Sequence, residues 1–323
     1  MMQAVVYTEY GTPDVLQLKE VATPVPKDDE VLVKVHAASI NSWDWDLLKG
    51  DFVNRLIFGG FRSPKLTILG CDVAGQVAAV GKNAQRFQPG DAVFGDISEA
   101  GWGAFAEYVA VREAALTIKP AGMSFTQAAA IPQAGVLAYQ GLCEKRTVQP
   151  GQTVLINGAG GGVGAFAIQM AKHFGAEVTG VDSTEKLAFM RALGADHVID
   201  YTEEDFTQTG QQYDLILDVV ARRSLFDYKR TLSATGSFVI VGGSMTTILQ
   251  AVTVGTWLSR SGQQKLGILV HRPNKEMASI LALWAAGKVT PVIDRCYPLA
   301  ETADAFRYFG AGHVKGKLII TVA

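Results

Sequence analysis

Three glycines spaced by three, Gly158, Gly161 and Gly164, stand in the stretch VLINGAGGGVGAFAIQMAKHFGAEVTGVD, between a strand-like apolar run and a helix-like one. A glycine-rich turn in that place lets the backbone approach a pyrophosphate. The helix start adds free N–H groups and the positive end of a dipole. A lone glycine triplet is a weak signal, but here the strand before, the helix after and Asp182 some twenty positions on complete a dinucleotide-binding pattern. Gly160, Gly162 and Val163 fall within the same cradle. The plain alternative is a purely structural glycine turn.

Asp182 closes the second strand of this unit. A carboxylate there can accept hydrogen bonds from the adenosine ribose hydroxyls, which favours NAD and repels a 2′-phosphate. Ser183, Lys186 and Tyr201 surround the same corner, and a hydroxyl, an ammonium and a phenol can hold that phosphate. The two readings conflict, and both stand. In the bland version Lys186 is a solvated helix residue and Tyr201 a packed aromatic.

The elements that must position these residues follow a clear change of pattern. The first ~120 residues read as β-rich, with strands at Glu30–Val35, Val73–Val80 and Ala104–Val111 and a loop insertion at Gly50–Leu66 carrying Arg55, Gly59, Gly60 and Arg62. Ser124 and Gln127 resemble an N-cap pair opening a helix that runs through Tyr139 and Cys143. Strands and helices then alternate: strand Thr153–Asn157, helix Val163–Phe174, strand Glu177–Val181, helix Glu185–Leu193, strand His197–Ile199, strand Leu215–Asp218, strand Ser237–Val241. That order argues a parallel sheet with helices on both faces. Helices Met277–Ala286 and Ala300–Phe309 and strand Lys317–Val322 close the chain.

With 323 residues, two domains are expected. A net charge of -2 gives no general attraction to nucleic acid or anionic membrane. Cys71, Cys143 and Cys296 lie too far apart for a disulfide framework or a zinc ribbon, so reduced thiols in a cytoplasmic protein are expected. The start MMQAVVYTEYG lacks a basic region followed by an apolar run and is not read as a signal peptide. The uncharged stretch from Phe238 to Ser259 is broken by Gly242-Gly243 and studded with threonines, so a buried strand, a glycine turn and a covered helix fit it better than a membrane span.

Several further motifs carry a family resemblance. These are Asn41-Ser42-Trp43-Asp44, Gly70-Cys71-Asp72-Val73-Ala74-Gly75, Gly90-Asp91, Leu193-Gly194-Ala195-Asp196 with Ile199-Asp200-Tyr201, and Gly312-His313 with Gly316-Lys317. On these the chain resembles the zinc-independent quinone oxidoreductase branch of the medium-chain dehydrogenase/reductase superfamily over essentially its whole length. The resemblance implies an α/β fold: a Rossmann doubly wound parallel sheet, residues 123–265, inserted into a β-rich GroES-like catalytic domain of residues 1–122 and 266–323. It implies a site in a cleft between domains and a homodimer.

Alcohol dehydrogenases of this superfamily place a zinc-binding Cys early in the first domain and a Gly-His-Glu later. Here Asn41 stands near the first place, Gly70-Cys71-Asp72 near the second, and the five histidines form no ligand-spaced pair. Catalytic zinc needs about three suitable protein ligands, so no metal is expected. Without a Lewis acid, alkoxide stabilisation is lost. What remains is hydride transfer from NADP(H), favoured by the resemblance, or NAD(H), favoured by Asp182, to an acceptor that delocalises the incoming charge. Quinones and α,β-unsaturated carbonyls qualify.

The resemblance places Asn41 and Asp44 at the reacting centre. Asn41 would bond the nicotinamide ribose or a substrate carbonyl, and Asp44 would orient that network or relay a proton. An Asn/Asp turn holding its own backbone is the alternative. Trp43 and Gln133 are the expected pocket residues. Val219 and the group Gly242, Gly243 and Ser244 end strands where backbone N–H groups face the cofactor. Lys317 is expected to face the cleft or to be a surface lysine. No general acid is assigned. A cofactor-binding sensor or structural protein with little turnover, and a zinc-free alcohol dehydrogenase, are the competing readings.

Overall fold

Val31, Val33 and Val35 are fully buried along a strand whose sequence, EVLVKVHAASI, starts as a simple alternation. The computed structural model describes residues 1–51, 55, 60–143, 147–255 and 263–322. Its chain opens with β1 (Met2–Val6), β2 (Gln17–Val21), this strand, β3 (Glu30–Ile40), and α1 (Ser42–Lys49). Next come β4 (Asp72–Val80), β5 (Ala92–Asp96), β6 (Tyr108–Arg112), β7 (Thr117–Ile118) and α2 (Phe125–Ala130). β3 runs five residues past its expected end. Register shifts against β4 at Leu32/Val33 and Val35/Ala37 break the alternation, and beyond the second shift Ala37 to Ile40 are all buried.

The strand expected at Ala104–Val111 is shorter. Trp102 and Gly103 take left-handed backbone angles, and the N–H groups of Gly103 and Ala104 both bond the Gly70 carbonyl, so the residues ahead of β6 form a turn. In the Gly50–Leu66 insertion, Gly59 lies outside the described residues. Gly60 accepts a 2.7 Å bond from the Tyr10 hydroxyl, and the Arg55 guanidinium lies 4.5 Å from the Tyr10 ring centroid.

The single helix expected from Ser124 to Cys143 is two. Ser124 and Gln127 form the expected capping box on α2, but Pro132 has no N–H to continue the ladder and opens α3 (Pro132–Cys143) instead. Then follow β8 (Thr153–Asn157), α4 (Gly162–His173), β9 (Glu177–Asp182), α5 (Leu187–Ala192), β10 (His197–Asp200) and β11 (Tyr213–Asp218). α6 (Leu225–Thr231), β12 (Leu232–Ile240), α7 (Met245–Gln250), β13 (Lys265–Ile268) and α8 (Met277–Ala285) complete this part. The six strands are parallel, in the order β10-β9-β8-β11-β12-β13. Central strands read as unbroken apolar runs because both faces are covered: Val154 to Ile156, Ile216 and Leu217 have no exposure. The uncharged stretch from Phe238 holds the end of β12, a glycine turn and α7. Leu249 on that helix is exposed rather than covered, and residues 256–259 lie outside those described. Among the described residues no helix is long and apolar enough to cross a membrane.

β14 (Ile293–Pro298), α9 (Thr302–Gly310) and β15 (Lys317–Thr321) return the chain to the first sheet, whose order is β14-β15-β3-β4-β5-β7 with β6 on β3. By contacts the chain divides into one unit of Met1–Gln133, Pro273–Lys275 and Val292–Ala323, and another of Ala134–Arg272 and Glu276–Pro291. Residues 276–291 fall with the parallel sheet, although the expected division ran at 265. The Gln169 side chain brackets the Thr290 backbone there at 2.9 and 3.1 Å. Asn274 does the reverse, pairing with the Asp96 backbone in the first unit.

Candidate functional site

In the parallel-sheet unit, β8, β9 and β11 end in Asn157, Asp182 and Asp218, polar residues after apolar runs and all at carboxyl ends of parallel strands. Open α/β sheets bind their ligands at that edge. The turn after β8 is built without side chains. Gly158 has φ +82°, and a Cβ on Gly164 would stand 2.4 Å from both Ala159 Cα and the Gly158 carbonyl oxygen. Only glycine brings α4 this close to its strand. α4 is twelve residues long and its N-cap, Gly161, offers no side chain to its first turn. The N–H groups of Gly162, Val163 and Gly164 therefore present an anion cradle.

At the cradle's edge, Asp182 accepts from Gly160 N at 2.9 Å and from Ser183 N at 2.9 Å. The Lys186 Nζ stands 3.4 Å from Asp182 Oδ1, with both side chains about nine-tenths buried. Lys186 folds over the turn so closely that a Cβ on Gly160 would meet its Cδ at 2.6 Å. Lys186 is thus no solvated helix residue. The Tyr201 backbone N–H bonds the Asp182 carbonyl while its ring is half exposed. The helix expected from Glu185 begins as a 3-10 turn, Thr184–Lys186, and it is this turn that carries Lys186 back beside Asp182.

Val219, Gly242 and Gly243 meet as bare backbone. A Cβ on Gly242 would lie 2.8 Å from the Val219 carbonyl oxygen, and one on Gly243 would lie 2.4 Å from that of Ala221. Ser244 caps α7 by accepting from Thr247 N at 3.2 Å. Sequence reading overlooked Asp218. It is fully buried, and its Oδ1 accepts from Asn157 Nδ2 at 2.9 Å and Val220 N at 3.0 Å, holding the Val219–Val220 turn against Gly158. Burial pushes its carboxyl up to about 6. The polar end of an otherwise apolar LILD strand was the signal that could have found it.

The first unit holds a second constellation, set by sheet register. Ser39 on β3 faces Asp72 on β4, and Leu318 on β15 faces Ile40, which brings Lys317 beside Asn41. Asp72 is the hub. Its Oδ2 accepts from Ser39 Oγ at 2.7 Å and Asn41 Nδ2 at 2.9 Å, and its Oδ1 from Gln133 N at 3.0 Å. Cys71 Sγ receives Asn41 Nδ2 at 3.3 Å and Gln133 Nε2 at 3.4 Å. The Lys317 ammonium donates to Asn41 Oδ1 and, at 3.3 Å, to the Ile40 carbonyl, and stands 3.6 Å from Asp72 Oδ2.

Expectations for these residues change accordingly. Lys317 is only 3% exposed, so it is a buried counter-ion and not a surface lysine. Gln133 is likewise buried inside the network and does not wall an open pocket. Both ends of the Asn41 amide are engaged. Asp44 is fully buried, taking Asn41 N on one oxygen and Gly70 N on the other, each at 2.8 Å. That is the turn-holding alternative, with Asp44 orienting the network. Burial raises its carboxyl to about 7. Trp43 points elsewhere: it is 42% exposed and stacks on Trp102 with centroids 6.3 Å apart. Among the described residues, the grouping with metal-ligand spacing is Cys71, Asp72 and Asp96, and it contains no histidine.

Comparison with known proteins gives concordant results. Residues 27–121 match the model of the alcohol dehydrogenase GroES-like domain, and residues 193–320 match that of the zinc-binding dehydrogenase domain. The chain is 38% identical to a 2-methylene-furan-3-one reductase of Solanum lycopersicum, over 99% of this chain and 79% of the relative. It is 34% identical to a chloroplastic NADPH-dependent alkenal/one oxidoreductase of Arabidopsis thaliana with the same coverage. Its structure is similar to the quinone oxidoreductase from Coxiella burnetii with a TM-score of 0.87 at 32% identity, covering 100% of this chain and 99% of that one.

Proposed function

The chain belongs to the quinone oxidoreductase-like branch of the medium-chain dehydrogenase/reductase superfamily, and from that premise we propose that it is an NAD(P)H-dependent, zinc-independent reductase of quinones or α,β-unsaturated carbonyls. The observation that carries this reading is the α4 start, a long helix with no capping side chain behind an all-backbone turn, which fits a dinucleotide pyrophosphate. The cofactor, when bound, supplies the hydride. The chain's own residues bind, orient and exclude water.

Val219, Gly242 and Gly243 offer backbone contact beside the cradle, and Asp218 holds the adjoining Val220 N–H. Asn41, Asp44, Gln133 and Lys317 act as positioning residues that hold the start of α1, and Trp43 at that start is the acceptor-facing residue. The buried donor set supports a metal-free centre, because Asp72 already has an ammonium partner and the grouping of Cys71, Asp72 and Asp96 contains no histidine. With no Lewis acid, acceptors that spread charge by conjugation are the fitting substrates.

NADP(H) is the preferred cofactor in this reading. Lys186 neutralises Asp182, and with Ser183 and Tyr201 it can hold a 2′-phosphate, whereas NAD(H) would use Asp182 as a ribose acceptor. Calorimetric titration with NADPH and NADH tests this: tighter NADPH is expected, and equal or tighter NADH refutes the preference. A homodimer is supported by the outer edge of β13, which pairs with no further strand among the described residues, and by exposed Leu249 and Val270. A cytoplasmic setting is supported by three free cysteines.

A further inference from the structure

A buried lysine needs an account, since lysines almost never lie inside unless paired. Lys317 opens β15, between β14 and β3 in its sheet. Its backbone is pinned by a 2.9 Å bond from Lys317 N to the Val292 carbonyl. The preceding Gly316, at φ +86°, could not carry a Cβ, which would stand 2.5 Å from that same oxygen. The strand start therefore delivers the ammonium to one spot. There it donates to Asn41 Oδ1 and the Ile40 carbonyl and forms an ion pair with Asp72 Oδ2 at 3.6 Å.

That spot adjoins an unusual donor set. Cys71 Sγ and carboxylate oxygens of Asp72 and Asp96 lie within 4.8 Å of one another, all buried, and the fully buried Asp44 acts on the same groups electrostatically. Lys317 is the cation paired with this cluster, and an unbalanced buried carboxylate is strongly destabilising. Balance can come from an ammonium, a proton or a metal ion.

We propose that Lys317 is the resident cation of the Cys71–Asp72–Asp96 pocket, balancing its charge in the way a divalent metal would, keeping metal out and thereby fixing the Asn41 amide at the head of α1. This rests on the metal-free reading of the site and makes a claim of its own, because metal uptake and folding are measured without turnover. Lys317 is a positioning residue here, and no proton or hydride passes through it.

The test uses Lys317→Met, which keeps an unbranched side chain one heavy atom shorter and removes its charge, and the charge-balanced pair Lys317→Met with Asp72→Asn. Each full-length protein is titrated with cobalt(II), read by the thiolate-to-cobalt absorption of Cys71 and by thermal unfolding. The wild type is expected to show no such band and no change in Tm. The single variant is expected to bind cobalt at least about tenfold more tightly than wild type and to gain Tm with it, and the pair to lose that gain. If the single variant folds only with cobalt, or fails where the pair folds, the charge role also holds. A folded, cobalt-indifferent single variant overturns the proposal. So does a wild type whose Tm rises with the thiolate band, or a pair that fails to fold just as the single variant does.

Discussion

Lys186 closes over Asp182 with its Nζ 3.4 Å from Oδ1, so the acidic residue that would select a ribose hydroxyl carries its own counter-ion. The sequence left these two residues pulling toward different cofactors. Their pairing makes them parts of one corner.

Removing the acid while keeping its shape should release the lysine. Asp182→Asn still offers an acceptor to Gly160 N, but no longer holds the ammonium by charge. The ratio of NADPH to NADH affinity is expected to rise roughly tenfold, in keeping with the strength of a charge-assisted bond. Lys186→Met should lower the same ratio. Calorimetric Kd values for both cofactors check this, and a ratio indifferent to either change would remove the pair from cofactor selection.

The two ends of the glycine turn should respond differently to alanine. A Cβ on Gly164 has nowhere to go against Ala159 and Gly158, so Gly164→Ala should cost about 1–3 kcal/mol and lower Tm by several degrees. A Cβ on Gly161 meets only the Gly158 carbonyl oxygen, at 3.6 Å. Gly161→Ala should therefore lower Tm less than Gly164→Ala, by no more than the poorer N-cap costs, and lose affinity for NADPH, because its methyl group enters the anion cradle. Calorimetry and thermal unfolding on the two variants separate packing from binding.

Asp218 predicts a pH effect with a definite sign. Its carboxyl rises from 3.8 to about 6 in the folded protein, so the folded state holds the proton more tightly. That contribution to stability is fully present below pH 3.8 and is lost as pH rises to about 6. Asp218→Asn should thus gain on wild type across this window, by about 2–3 kcal/mol in total, and run parallel to it above. Denaturation midpoints measured across the window give the slope. A difference that grows in the opposite direction would mean that Asp218 is stabilised as the anion.

How much of this was legible depends on how local each feature is. The strand–turn–helix around Gly158 to Gly164, the capping pair Ser124 and Gln127, and the alternation that makes a parallel sheet are patterns within a few residues, and each is found in the structure. The proline that splits the helix after Ala130 is equally local, since Pro132 lacks the N–H that the ladder needs. The network around Asp72 is of another kind. Ser39 and Asp72 are 33 residues apart and Lys317 and Asn41 are 276 apart, and only the register of β3 against β4 and β15 brings them together. The motifs of the family resemblance named Asn41, Asp44, Gln133 and Lys317. They could not tell that Gln133 and Lys317 point inward, because burial at the first turn of α3 and at the start of β15 depends on what the sheet places opposite.

Trp43 is the acceptor-facing prediction. It shares the head of α1 with Asn41 and Asp44 yet lies outside their network, stacked on Trp102. Trp43→Ala should raise the KM for quinone or enone severalfold, as expected for loss of an aromatic contact, and leave NADPH Kd unchanged. A change confined to NADPH binding would move Trp43 out of the acceptor's path.

One measurement tests the metal-free reductase most directly: NADPH oxidation by the purified chain with a small quinone and a small enone, before and after exhaustive dialysis against a metal chelator. Turnover with at least one conjugated acceptor, at the same rate after chelation, is the expected result. No oxidation with either acceptor class, or activity that vanishes on chelation and returns with zinc, would contradict it.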